Sequence, residues 1–75
     1  MNNEINIGSI YSLNADKENL VMVIEKRDDS LEYGSPYLVA KLIQVSEDRK
    51  GKGFNEGETL HLIIKSFPEY WTEIA

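Results

Sequence analysis

The hydrophobic and polar residues of this chain alternate with the two-residue period of β-strands in several separate runs. The clearest run lies in segment 57–65, where Leu60, Leu62 and Ile64 alternate with polar side chains. This spacing is typical of a strand with one buried face. Other short runs are rich in β-branched residues and carry the same signal. The pattern predicts five strands, at residues 7–13, 20–27, 37–46, 58–65 and 70–74.

Turn residues separate these runs. Ser66 and Pro68 interrupt the apolar pattern and predict one tight turn before a short closing strand, because proline fixes its own φ and restricts the preceding residue. Segment 14–19 has turn composition and also fits a single helical turn capped by Asn14. Segment 37–46 fits helical spacing as well, but its β-branched residues favour a strand. Five short strands separated by turns predict an all-β barrel or sandwich.

Apolar residues of the five predicted strands should form most of the core. They are Leu13, Leu20, Met22, Ile24, Val39, Ile43, Leu60, Leu62, Ile64 and Ile74. Segments 20–24 and 38–43 are apolar on both parities, which is more than a small monomer readily hides. Pairing of two copies through a sheet edge would cover that surface, so we expect a weak or moderate homodimer. Lys41 and the net charge oppose it.

Length and composition narrow the classes of function. The 75 residues form one predicted domain, 1–75, in which 1–6 is a loose start, and its core alone supplies roughly 3–5 kcal/mol of net stability. No cysteine is available for disulfides or thiolate metal sites. A net charge of −5 opposes nucleic-acid binding, which depends on neutralised phosphates. No run approaches the ~20 apolar residues of a membrane span. With no signal peptide at its start, the chain is predicted to be cytoplasmic.

The order of these elements resembles that of SH3-like small barrels, which also have five strands and a one-turn segment before the last. In eukaryotic SH3 domains a proline and a tyrosine in that turn help to line the peptide groove. Pro68 and Tyr70 are similar to this pair, although one residue closer together, and Tyr11 resembles the family's early groove tyrosine. The resemblance implies a five-stranded, mostly antiparallel SH3-like barrel with a single short helical turn before the last strand.

One residue departs from the family's pattern. Peptide-binding SH3 domains carry a tryptophan at the start of the third strand, where this chain has Tyr37 or Leu38, and its only tryptophan is Trp71 in the closing strand. The resemblance therefore does not imply recognition of proline-rich peptides. The segments IGSIYSL, VMVIEKRDDS and YWTEI also resemble short SH3-like proteins of tailed bacteriophages, including cyanophages.

Residues with catalytic or metal-binding chemistry lack the partners that such chemistry needs. His61 is the only histidine, and its parity places it on the outer face of the fourth strand. One predicted loop contains three carboxylates, Asp28, Asp29 and Glu32. Their spacing does not match that of a calcium site, so we predict that they lie in a solvated turn. No nucleophile has a recognisable base nearby. We expect no enzyme activity, no cofactor and no metal.

Partner binding is the class of function that remains once enzyme activity and metal binding are not expected. Tyrosine and tryptophan bring large contact area with few rotors to immobilise. The predicted partner-binding residues are Tyr11, Tyr37, Phe54, Pro68 and Tyr70. We expect a noncatalytic protein-interaction module, a phage-type accessory protein that binds a host or viral protein in the cytoplasm of the host cell.

The alternative is a small barrel associated with nucleic acid. Arg49, Lys50 and Lys52 form the only basic cluster, and the glycine between them can help to build an anion-binding loop. A related alternative is that the acidic surface itself mimics nucleic acid.

Overall fold

A computed structural model describes residues 5–27 and 34–75. In these residues the chain forms five strands and one short helix. The elements are β1 (Ile10–Leu13), β2 (Asp16–Arg27), β3 (Tyr37–Gln44), β4 (Thr59–Ile63), α1 (Phe67–Tyr70) and β5 (Trp71–Glu73). The prediction of an all-β domain with five antiparallel strands is confirmed. No helix in the described part of the chain has the length and apolar character needed to cross a membrane.

The strands form a single antiparallel sheet in the order β4-β3-β2-β1-β5. The last strand returns beside the first, with Leu13 opposite Trp71 and Tyr11 opposite Glu73. The long strand β2 pairs with β1 near its start and with β3 along most of its length, and its register with β3 shifts at two irregularities. Such bulges bend a strand and increase its twist. The edges of the sheet are β4 and β5.

The predicted helical turn before the last strand is confirmed as α1. Proline is favoured in the first turn of a helix, where a missing N–H costs nothing, and Pro68 stands there. The Ser66 hydroxyl donates to the carbonyl of Ile63, and the Trp71 N–H donates to the carbonyl of Phe67, which ends the helix. This turn carries the chain from the β4 edge to the β5 edge.

The core lies on the opposite parity of β2 and β3 from the one predicted. Its central residues are Val21, Val23, Leu38, Ala40 and Leu42, each at 0% exposure. The predicted assignment of Ile24, Ile43 and Ile74 to the core is wrong, since their exposures are 40%, 37% and 56%. Leu20 and Met22 are half-buried, and Val39 is buried. The other predicted core residues are partly buried and pack against the core: Leu13, Leu60, Leu62 and Ile64.

An aromatic cluster closes one end of this core and explains the parity. The Tyr11 ring meets Phe67 edge to face at 4.8 Å between centroids, and Phe67 stacks on Trp71 at 6.1 Å. Tyr11 lies directly opposite Val21. Directly opposite residues of an antiparallel pair share a face, so the buried aromatics of β1 and β5 draw Val21 rather than Leu20 inward. Ile5, from the segment predicted to be loose, is also buried.

The connection between β1 and β2 is shorter than predicted. Segment 14–19 was expected to be a turn or a single helical turn, but the turn comprises only Asn14 and Ala15, and β2 begins at Asp16. The reason is tertiary: the side chains of Asn14 and Asn19 bond to distant parts of the chain, described below, which overrides their local preference for turns.

Candidate interaction cleft at the β1–β2 turn

An open cleft of about 630 Å³ lies where the β1–β2 turn meets the long connection between β3 and β4. We call this connection, residues 45–58, the 45–58 loop. Its lining contains two carboxylates, two cations, one aromatic ring and a methyl group. The lining residues are Ala15, Asp16, Asp48, Arg49, Lys52 and Phe54.

A buried polar network holds the 45–58 loop against β2. Asn19 has 0% exposure, and its side-chain oxygen accepts a hydrogen bond from the backbone N–H of Ser46 at 3.0 Å. Its side-chain amide donates to the Asp16 carbonyl at 3.0 Å and to the Ser46 hydroxyl oxygen at 3.4 Å. Each hydrogen-bonding group of this amide is therefore used in organising the loop, which is how a buried amide avoids a desolvation cost.

Asp16 links this network to the cleft. The Ser46 hydroxyl donates to its carboxylate at 2.7 Å, and the Glu18 N–H donates at 3.4 Å. The Arg49 guanidinium forms an ion pair with the same carboxylate at 3.5 Å. The hydrogen bond from Ser46 is the main cause that lowers the pKa of Asp16. Desolvation opposes the shift, and Asn19, Glu18 and Arg49 lower the pKa further.

The loop presents an aromatic ring beneath a cation. Arg49 lies over the ring of Phe54, with its guanidinium carbon 5.7 Å from the centroid. Gly51 and Gly53 have φ values of 77° and 92°, a region that glycine adopts readily and other residues rarely. Glycine at these two positions accommodates the turns between Lys50 and Phe54, which form an isolated β-bridge, and Phe54 lines the cleft together with Lys52.

The other side of the turn is tied to α1. The Asn14 side-chain amide donates to the Glu69 carbonyl at 3.1 Å, and its backbone N–H donates to the Tyr70 carbonyl at 2.7 Å. The hydroxyl of Thr72 donates to the side-chain oxygen of Asn14. The β1–β2 turn therefore bridges the cleft at Ala15 and the surface of α1, where the Tyr70 side chain is 57% exposed.

The structure divides the residues predicted to bind a partner. Tyr11 and Tyr37 have exposures of 6% and 1%, so burial removes both from the accessible surface. Phe54 is half-buried in the cleft, while Pro68 and Tyr70 are exposed on the α1 side of the same turn. Three of the five are therefore accessible, on the two sides of the β1–β2 turn.

The predicted basic cluster is only partly available for an anion. Arg49 is paired with Asp16, and Lys50 lies 3.5 Å from the carboxylate of Glu47. Lys52 is exposed and makes no ion pair among the described residues. Asp48 stands in the same lining, so the two cations and two carboxylates of the cleft balance in formal charge.

Other candidate chemistry is not assembled in the described residues. No group of three or more metal-binding side chains occurs in residues 5–27 and 34–75. His61 is exposed on the parity predicted, with its ring 4.8 Å from that of Tyr37. Asp28, Asp29 and Glu32 lie outside the described residues.

Three residues that organise the cleft were not predicted from the sequence: Asp16, Asn19 and Ser46. An asparagine immediately before an apolar strand was interpreted as a turn residue, although it also marks a position where a buried amide can bond to a neighbouring segment. Ser46 ends the third predicted strand, and no feature of the sequence marks it as a hydrogen-bonding partner of Asn19. No family model, curated protein or solved structure matches this chain.

Proposed function

We propose that this protein is a noncatalytic interaction module that binds another protein at the end of the sheet formed by the β1–β2 turn. The observation that carries the proposal is the half-buried Phe54 ring, held in an open cleft beneath Arg49. Phenylalanine and arginine are enriched at protein interfaces relative to the rest of the surface. Here both belong to a loop that the Asn19–Ser46–Asp16 network already orders. Preorganisation of this kind lowers the entropic cost of binding.

A protein partner fits the charges of the cleft better than a polyanion does. Arg49 and Lys52 face two carboxylates in the same lining, and the whole chain carries −5. Nucleic-acid affinity depends on a surplus of cations, which this lining lacks. Mixed charges around an aromatic centre are ordinary at the rims of protein interfaces.

The order of elements supports the further proposal of an SH3-like barrel. Five strands with one helical turn before the last are the features that suggested this family, and β5 lies beside β1 as the chain returns. Of the groove residues that the resemblance implied, Pro68 and Tyr70 are exposed and Tyr11 is not. We therefore place the contact surface at α1 and the cleft. A phage-type accessory role remains part of the proposal, supported by sequence resemblance alone.

Site-specific photo-crosslinking tests the proposed surface. A photoreactive amino acid at Phe54 or at Tyr70 should capture the same partner protein from a cell lysate, giving adducts of equal mass shift. Glu25 is the matched control, because it is exposed and lies nine residues along β2 from Asp16, away from the β1–β2 turn. An adduct formed equally well from Glu25, or different proteins captured at the two test positions, would contradict a binding surface at the turn.

The nucleic-acid alternative rests on Lys52, which lines the cleft beside an aromatic ring without an ion pair among the described residues. Stacking on a ring next to a cation is how many proteins hold single strands. Titration of labelled DNA and RNA at low salt tests it, with the triple change of Arg49, Lys50 and Lys52 to alanine as the comparison. Binding that the triple change abolishes would favour this alternative. Capture of a basic nucleic-acid-binding protein would instead favour acidic mimicry.

A further inference from the structure

The side of the sheet opposite the core carries an apolar surface on adjacent strands. We call it the outer apolar face. Its six residues are Ile10, Leu20, Met22, Ile24, Ile43 and Ile74. Three of them were predicted to be core and are instead at least 37% exposed. An apolar residue that remains in contact with water loses the stabilisation that burial provides, about 25 cal/mol per Å².

The register of the sheet aligns one row across this face. Ile10 lies opposite Met22, and Met22 lies opposite Lys41. Ile74 continues the row on the other side, because its N–H donates to the Ile10 carbonyl at 2.9 Å. From β5 to β3 the row therefore reads Ile74, Ile10, Met22, Lys41, with three apolar positions and one cation at its end.

We infer that two copies of this chain pack face to face through the outer apolar face, about a two-fold axis parallel to the strands. This rotation reverses the order of the row in the second copy. Ile10 therefore meets Met22 of the other copy, and Ile74 meets the aliphatic stem of its Lys41. The lysine head then reaches water at the margin of the interface, as long cationic side chains commonly do. A two-fold axis perpendicular to the strands would instead place Lys41 against its own copy, and this repulsion disfavours it.

The size of the face limits the area that a dimer could bury. A standard interface buries about 800 Å² per partner. The accessible surface of this chain is 4903 Å², so such an interface would occupy roughly one-sixth of it. The row spans four strands, only about 15 Å across at ~4.8 Å per strand. We therefore expect an interface at the small end of the range and a weak dimer that dissociates on dilution. Because each copy carries −5, added salt should strengthen the dimer.

Sedimentation or light scattering over about a hundredfold concentration range tests the face. The expected result is a mass that rises from monomer towards dimer, and an Ile74→Glu variant that stays monomeric throughout. Tyr70→Glu is the matched control, since the two side chains are 56% and 57% exposed and the charge change is the same. A wild-type mass that stays monomeric, or a dimer that Ile74→Glu leaves intact, overturns the inference.

Crosslinking tests the axis. The chain has no cysteine, so single Ile74→Cys and Lys41→Cys variants introduce unique thiols. A short bismaleimide should join the two variants when they are mixed and should leave each variant alone uncrosslinked. Crosslinking within either variant alone would show that equal positions face each other and would overturn the proposed axis. Since Tyr70 lies outside the outer apolar face, these results are independent of whether the cleft binds a partner.

Discussion

Replacement of Asn19 by leucine tests whether the buried polar network stabilises the fold. Leucine is similar in size and more hydrophobic, so a view of the core based on hydrophobicity alone predicts a gain in stability at this fully buried position. The hydrogen bonds predict the opposite. The change would leave the backbone N–H of Ser46 without the oxygen it binds at 3.0 Å, and the carbonyl of Asp16 without its donor at 3.0 Å.

The magnitude follows from these two groups. A buried polar group that loses its partner costs about 1–3 kcal/mol. Ser46 is 5% exposed, so its N–H has little access to water, whereas Asp16 is half-buried and its carbonyl can recover part of the loss. Partly offset by the added apolar burial, the net loss should be about 2–3 kcal/mol. That is a large part of the roughly 3–5 kcal/mol expected for a core of this size.

Urea unfolding followed by the fluorescence of Trp71 measures the loss. Trp71 is the only tryptophan and is 6% exposed, so its emission reports the core directly. The midpoint should fall sharply for Asn19→Leu with an unchanged slope. Asn55→Leu, the same change on an exposed loop residue, should leave the midpoint almost unchanged. An Asn19→Leu midpoint equal to or above that of the wild type would refute the assignment of a stabilising role to the network.

Three further outcomes are expected. Leu42→Ala should lower the free energy of unfolding by about 2–5 kcal/mol, and Ile43→Ala by less than about 1 kcal/mol, in the same urea assay, because only Leu42 is fully buried. Asp16→Asn should be less stable than the wild type near neutral pH. Since folding lowers the pKa of Asp16, this difference should be present at neutral pH and disappear in acid, as pH falls through the lowered pKa of the folded state, in unfolding curves recorded against pH. Tyr70→Ala should reduce partner capture without moving the urea midpoint, since the side chain is exposed.

Each of these has an outcome that would contradict it. Equal losses for Leu42→Ala and Ile43→Ala would mean that the strand parity is wrong. A constant difference between the wild type and Asp16→Asn from neutral to acidic pH would mean that the carboxylate is not ionised preferentially in the fold. A Tyr70→Ala variant that captures the partner as well as the wild type would remove α1 from the contact surface.

The sequence alone predicted the elements well because their signals are local. The alternating segment 58–65 contains β4, and the interruption at Ser66 and Pro68 coincides with α1. β-branched residues correctly favoured a strand for 37–46, against the helical alternative. The ends of the strands differed by up to four residues, since strand ends depend on pairing with neighbours rather than on composition.

The parity of β2 and β3 could not be predicted from their own residues. Where successive positions are all apolar, alternation carries no information about which face is buried. The face that is buried depends on contacts between residues distant in sequence. These contacts join Tyr11 to Phe67 and Leu13 to Trp71. The cleft was unpredictable for the same reason: Asn19 and Ser46 are 27 residues apart, and only the fold makes them neighbours.

The two proposed surfaces have a geometric consequence when they are combined. A two-fold axis parallel to the strands preserves strand direction, so both β1–β2 turns of a dimer would lie at the same end. Two clefts would then face one side, and a partner that displays two binding sites would be held by both. Ile74→Glu should therefore weaken binding to a divalent form of the partner much more than binding to a monovalent form. Equal weakening of both forms would mean that the outer apolar face contributes to each cleft rather than joining two of them.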